Sequence, residues 1–105
     1  MLLRHGAPVL TGESVREMTR DQLIPAQRAG QETFLRDRSW GLCQSVIVSG
    51  ERAGAFGWDG GLGSSFLVDP ARDLVVIVLT QRLFDSPTPP AVHAELQDAA
   101  YAALR

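Results

Sequence analysis

Three features of this 105-residue sequence predict an α+β fold, an antiparallel sheet of about four strands with an N-terminal and a C-terminal helix on one face. Leu74-Val75-Val76-Ile77-Val78-Leu79 is continuously apolar and rich in β-branched side chains, the composition of a buried strand. Between Phe56 and Pro70 a cluster of glycines separates two strand-like runs, and there the backbone must bend sharply or approach another group closely, which a missing Cβ permits. Helical patterns with capping residues flank these runs on both sides. The length suits one domain with one hydrophobic core, spanning residues 1–105.

In chain order, Leu10-Thr11-Gly12-Glu13-Ser14-Val15 opens the first helix: Thr11 caps it, Glu13 lies in the first turn and Leu10 staples onto Val15. The helix is expected to reach about Gln22, with Val15 and Met18 as a narrow apolar stripe. Residues 22–38 carry Pro25, Gly30 and scattered charges and read as a long loop, a candidate rim of a site. Trp40, Leu42, Gln44, Val46 and Val48 alternate with smaller residues in the period-2 pattern of one strand, which ends in a turn at residues 49–52. Ala53 to Gly57 forms a short return strand, and the glycine-rich turn then leads into Ser65-Phe66-Leu67-Val68. Asp69-Pro70-Ala71-Arg72-Asp73 is a turn with proline at its second position.

Leu74 to Leu79 is expected to be buried on both faces, at roughly 1.5–3 kcal/mol for each of its side chains, making it the main source of stability. Pro87, Pro89 and Pro90 break the chain, and Thr88 caps a final helix from about Ala91 to Leu104. Val92, Leu96, Ala99 or Ala100, and Ala103 form its inward face. Two helices on one face leave the other face short of cover. The sheet then self-associates or lies against material outside this sequence, and the second is the expectation.

Composition excludes several functions. A net charge of −2 gives no reason to expect nucleic acid or an anionic membrane as partner. The lone Cys43 has no partner for an internal disulfide and is expected to be a reduced, buried thiol. No window holds the ~18 apolar residues of a spanning helix, and no signal segment is evident, so a cytoplasmic, membrane-free protein is expected. His5 and His93 lie far from any Cys, Asp or Glu cluster with metal-ligand spacing; both are expected at the surface, and neither metal nor other cofactor is called for.

Gly60-Gly61-Leu62-Gly63-Ser64-Ser65 is not a phosphate loop, since a strand pattern follows it and the chain contains no lysine. Ser64 or Ser65, His93 and Asp59 formally supply a triad, but no spacing supports one and no Gly-x-Ser-x-Gly elbow is present.

Several segments, in order, carry a family resemblance: Thr11 to Val15 with Met18, Phe56 to Ser65, Val68-Asp69-Pro70, Asp73 to Val76 through Thr80-Gln81, and Tyr101-Ala102-Ala103-Leu104. From about Leu10 to Leu104 the chain resembles the C-terminal portion of the serine β-lactamase and penicillin-binding-protein superfamily, in particular its class C-like esterases and 6-aminohexanoate-dimer hydrolases. In that family a third catalytic motif, Lys-Thr-Gly, His-x-Gly or Trp-Gly-Gly, lies on a strand that walls the active site, and Trp58-Asp59-Gly60 falls on those positions.

The resemblance implies that Trp58, Asp59 and Gly60 line the substrate site and that the backbone N–H of Gly61 supplies half of an oxyanion hole. Asp59 departs from the esterase pattern, because a carboxylate near a developing oxyanion opposes it unless it points away or is paired. The family's Ser-x-x-Lys nucleophile cannot exist in a chain without lysine, and the second motif, Tyr-x-Asn or Ser-x-Asn, is missing because there is no asparagine. The resemblance thus implies the C-terminal part of a larger serine hydrolase, inactive or nearly so alone. Completed by an N-terminal half, it would act on a small ester, amide or β-lactam through an acyl-enzyme. The contrasting expectation is a non-catalytic binding or self-assembly module that uses the uncovered sheet face for a partner or, as a homo-oligomer, for itself.

Overall fold

A computed structural model describes residues 2–104. After a 3-10 turn at Leu2–Arg4 come helices α1 (Gly12–Thr19), α2 (Pro25–Arg28) and α3 (Glu32–Leu35), strands β1 (Arg38–Trp40), β2 (Ser45–Ile47), β3 (Phe56–Gly60), β4 (Ser64–Asp69) and β5 (Leu74–Leu79), and helix α4 (Ala91–Ala103). The strands form one antiparallel sheet in sequential order, β1-β2-β3-β4-β5. The sheet has five strands rather than four because the pattern expected as one strand from Trp40 to Val48 is a hairpin. Gly41 to Gln44 form its turn, Cys43 takes φ 70°, and Gly41 N donates to Gln44 O at 2.8 Å. Cys43 therefore stands exposed at the hairpin tip, not buried.

Thr11 caps α1 as expected, its hydroxyl accepting from Ser14 N at 3.1 Å. The helix stops at Thr19, short of Gln22, because the hairpin captures the backbone beyond it. Leu42 N donates to Met18 O and Gln22 N to Trp40 O, both at 2.9 Å. This approach explains Gly41, where a Cβ would stand 2.2 Å from Met18 O. Asp21 completes the junction by accepting from the Ser39 hydroxyl and from Leu23 N. Burial raises its pKa, but the Ser39 and Leu23 hydrogen bonds and the Arg28 charge outweigh that cost and leave it below the ordinary value. The expected loop at residues 22–38 holds the two single-turn helices, α2 opening on Pro25 at its first position.

Alternation along the strands sorts the core into two faces. Ile47, Leu67, Val76 and Val78 cluster with Ala55 and with Tyr101 of α4. Val46, Phe56 and Val68 form the second cluster, against which Leu2 and Leu3 pack. In β5 only the α4 side is buried: Val76 and Val78 are 9% and 5% exposed, while Val75, Ile77 and Leu79 are 43%, 64% and 79% exposed. The expectation of burial on both faces fails because β5 is an edge strand and Leu2 and Leu3 do not extend over it.

Helix α4 has the expected bounds within a residue, and Ala100 packs against the core as expected, but the rest of its buried face differs. Its buried side chains are His93, Gln97 and Tyr101, whereas Val92 and Leu96 are exposed. Each buried residue meets a polar group on the sheet. His93 Nδ1 lies 3.2 Å from Asp59 Oδ1, Gln97 Nε2 donates to Ser65 Oγ at 3.1 Å, and the Tyr101 hydroxyl donates to Asp69 Oδ2 at 2.8 Å. Hydrogen bonds along this seam outweigh the apolar preference of the opposite face, since an unpaired buried polar group costs more than an exposed leucine.

Candidate active site

Strand β3 ends in the glycine-rich turn, and the segment after β5 straps that turn down. Gly63 N donates to Gly60 O at 2.9 Å, Thr80 N and Oγ1 donate to Gly63 O at 3.0 and 2.8 Å, and Phe84 N donates to Gly61 O at 2.9 Å. Gly63 has φ 100°, and a Cβ there would lie 2.4 Å from Arg82 O, so only glycine admits the strap. The strap carries Phe84 to within 5.7 Å of the His93 ring.

Beside this turn opens a cleft of about 560 Å³, walled by Phe34, Arg38, Trp58, Asp59, Gly61 and His93 among others. The volume is ample for a small organic ligand. Trp58 builds an aromatic wall: its ring lies 4.7 Å from Trp40, edge to face, and 5.9 Å from Phe34 of α3. Such ring pairs fix a large apolar surface in one orientation. Residues 33–38 form part of the rim, so the segment expected as a loop does border the cleft. Of the residues singled out from sequence, Trp58, Asp59 and Gly61 line the cleft. Gly60 sits between them and faces the hairpin, where a Cβ would stand 3.1 Å from Ser64 Oγ.

Asp59 is paired on both oxygens. Oδ1 meets His93 Nδ1, and Oδ2 lies 3.7 Å from Arg38 Nη2. Arg38 is in turn held by Ser45, whose hydroxyl accepts from its Nη1 at 3.0 Å and donates to Gly57 O at 2.7 Å. A carboxylate flanked by a guanidinium is an acceptor, so His93 carries its hydrogen on Nδ1.

His93 is 1% exposed, which overturns its expected surface position; the pairing with Asp59 offsets the cost of burying it. Its Nε2 is buried and has no hydrogen-bond partner among the described residues. His5 is exposed, as expected. The sequence signal for His93 was its place with Gln97 and Tyr101 at i, i+4 and i+8, one polar stripe on a helix.

Although His93 and Asp59 meet, neither Ser64 nor Ser65 completes a triad with them. Ser65 is buried with its hydroxyl accepting from Gln97, and Ser64 is exposed on the hairpin. Among the described residues no group of three or more His, Cys, Asp or Glu side chains is placed to hold a metal ion, and no helix is long and apolar enough to cross a membrane.

Comparison with known proteins adds three findings. The family model described as Beta-lactamase matches residues 2–101. Two curated Mycobacterium tuberculosis proteins, Protein Rv1367c of strain ATCC 25618 / H37Rv and Uncharacterized protein MT1414 of strain CDC 1551 / Oshkosh, are each 32% identical over 92 residues, covering 76% of this chain and 23% of theirs. Among solved structures, unliganded Simvastatin Synthase (LovD) from Aspergillus terreus superposes with a TM-score of 0.72 at 21% identity, over 98% of this chain and 31% of that one. Its LovD6 mutant gives 0.66 at 22% identity, over 92% and 32%. The chain thus spans about a quarter of the length of these curated relatives.

Proposed function

The chain belongs to the β-lactamase family, and from that premise we propose that it is the sheet portion of a serine hydrolase acting on a small ester, amide or β-lactam through an acyl-enzyme, active only when completed by further polypeptide. The observation that carries this reading is the cleft at the end of β3, where Trp58, Asp59 and Gly61 stand together beside a turn fixed by three hydrogen-bonded glycines. In the proposed mechanism a serine supplied by the remaining polypeptide attacks the substrate carbonyl. The oxyanion that forms accepts from Gly61 N–H and from the serine's own amide. It then collapses, breaking the ester or amide bond so that the alcohol or amine leaves with the proton the serine gave up. Water hydrolyses the resulting acyl-serine to the acid and the free serine. One such donor contributes roughly 2.7–4 kcal/mol to transition-state stabilisation. Trp58 orients the apolar part of the substrate.

Asp59 does not oppose the oxyanion in this reading, because Arg38 and His93 engage both of its oxygens. The need for completion follows from composition: without lysine the chain has no Ser-x-x-Lys nucleophile.

A serine-directed fluorophosphonate read by intact mass tests the proposal. The isolated chain should take up no adduct, while the chain grafted in place of the matched segment of Protein Rv1367c should take up one, on a serine of the relative's part. A stoichiometric adduct on Ser64 or Ser65 of the isolated chain, or none on the folded graft, refutes it.

A further inference from the structure

His93 lines the cleft with one of its two ring nitrogens unused. Nδ1 is committed to Asp59 Oδ1 at 3.2 Å, and the hydrogen it carries there leaves Nε2 as a lone-pair acceptor. Nε2 is buried without a hydrogen-bond partner, a state that only Gln44 Nε2 shares among the described side chains, and Gln44 does not line the cleft. Native proteins leave few buried polar atoms unmet, which makes each one a pointer to chemistry.

The surroundings decide what kind of group suits this acceptor. Apolar rings dominate the wall: Phe34, Trp58, Phe84, Pro87, Pro89 and Pro90. The charged residues at the cleft are Arg36, Asp37, Arg38 and Asp59, two of each sign, and Arg38 answers Asp59 within the wall. An anion at Nε2 meets a lone pair, with the Asp59 carboxylate beyond the ring. A cation meets no net negative charge and gives up its hydration among apolar rings. A neutral hydroxyl or amide N–H supplies the hydrogen that Nε2 lacks and leaves the rings to an apolar body. The half-buried Phe84 ring lies 5.7 Å from the imidazole, tilted by 60°. Its backbone N is tied to Gly61 O at 2.9 Å, so the ring can turn about its own side-chain bonds while the strap stays in place.

We propose that His93 Nε2 is the specificity-determining acceptor of the cleft, selecting neutral ligands that join one hydroxyl or amide N–H to an aromatic or bulky aliphatic body. The donor reaches Nε2 as the Phe84 ring turns aside, and Trp58 faces the body. As a statement about substrate this rests on the hydrolase reading: the ester or amide taken is uncharged and carries a donor besides the carbonyl that Gly61 engages. As a statement about a binding site it stands apart from any reaction.

Four probes with a common benzyl body test it on the isolated chain: benzyl alcohol, benzyl methyl ether, phenylacetate and benzylammonium. Each is titrated into isotope-labelled protein at a pH where imidazole is neutral, and the His93 ring nitrogens are followed by long-range proton–nitrogen correlation. Benzyl alcohol should bind at least about 5-fold more tightly than the ether, the factor of one neutral hydrogen bond, and should move the Nε2 signal while that of Nδ1 holds. Phenylacetate and benzylammonium should bind no better than the ether. His93→Phe, which keeps a ring and removes the acceptor, should erase the alcohol's advantage and leave binding of the ether in place.

Equal affinity for alcohol and ether, tighter binding of either ion, or no binding of any probe overturns the proposal. So does a ligand-free spectrum that places the hydrogen on Nε2. Should His93→Phe not fold, the four affinities and the Nε2 signal of the unsubstituted chain decide alone. Fluorophosphonate labelling separates the two readings. Donor selectivity without labelling of the graft keeps the acceptor site and removes the hydrolase reading, whereas labelling without donor selectivity keeps the hydrolase reading and removes the acceptor site.

Discussion

Replacing Tyr101 by phenylalanine isolates one hydrogen bond and keeps the ring that carries it. The Tyr101 hydroxyl donates to Asp69 Oδ2 at 2.8 Å, and Asp69 is 2% exposed, so the bond joins a buried charged acceptor to a buried phenol. Asp69 keeps two other partners in the variant, Ala71 N at 3.0 Å and Arg72 Nη1 at 2.9 Å. Arg52 and Arg72 lie 4.0 and 5.5 Å from the ring centroid and retain it as a phenyl face. The loss is therefore that of a hydrogen bond to a charged group without full desolvation of its acceptor, about 1.5–3 kcal/mol. In a domain of this size that lowers the melting temperature by roughly 6–20 °C.

The pH dependence supplies a second readout. Burial, the hydrogen bond to Asp69 and the Asp69 charge push the Tyr101 phenol from 10.0 up to about 12. A group whose pKa is raised on folding contributes stability that is fully present below pH 10 and is lost as the pH climbs through 12. The amount is roughly 2–3 kcal/mol at about 1.4 kcal/mol per unit. Urea denaturation at pH 7 and at steps from pH 9.5 to 12 measures both effects: the wild type should weaken across the alkaline window, and the variant should start lower and stay flat relative to it. A loss under about 0.5 kcal/mol at pH 7, or an alkaline decline of equal size in both proteins, refutes this account of the seam between α4 and the sheet.

Three further predictions follow from the geometry. Gly57→Ala places a Cβ 2.0 Å from Phe66 O across the β3–β4 ladder, so it should cost at least about 3 kcal/mol or prevent folding, as read by circular dichroism and denaturation. Leu67→Ala, in the cluster beneath α4, should cost about 2–5 kcal/mol, whereas Ile77→Ala on the open face should stay within about 0.5 kcal/mol; similar losses for the two would contradict the one-sided burial of β5. A double-mutant cycle of Asp59→Ala and His93→Ala should return a coupling of about 0.5–3 kcal/mol in denaturation, and additivity would show that their contact is idle.

Much of the frame was legible from sequence because it depends on local rules. Thr11 capped its helix, the glycine cluster made the turn after β3, and the proline-rich break preceded the last helix. The first strand pattern misled because alternation counts residues without seeing where the chain reverses, and Gly41 was the signal for the hairpin that produced β1 and β2. The burial of β5 was overestimated because an apolar run reports an affinity for cover, not its presence. Helix α4 misled for the opposite reason. Hydropathy favoured Val92 and Leu96, yet the partners waiting on the sheet were Asp59, Ser65 and Asp69, and only the tertiary pairing reveals that His93, Gln97 and Tyr101 match them. The cleft residues Trp58, Asp59 and Gly61 were found through the motif they resemble, whereas Arg38 and His93 come from distant positions that only folding brings to Asp59.

The seam under α4 behaves as a combination lock. Its three contacts are chemically unlike, an imidazole on a carboxylate, an amide on a hydroxyl and a phenol on a second carboxylate, and they recur every four residues along the helix. A greasy interface tolerates sliding by one turn, because one methyl group replaces another. Here the same slide would set Gln97 against Asp59 and Tyr101 against Ser65, and would strand His93 and Asp69 without counterparts. The helix therefore has one seating and no neighbouring near-seatings, so the side of the cleft that His93 supplies is located by Tyr101 at the far end of the same rod.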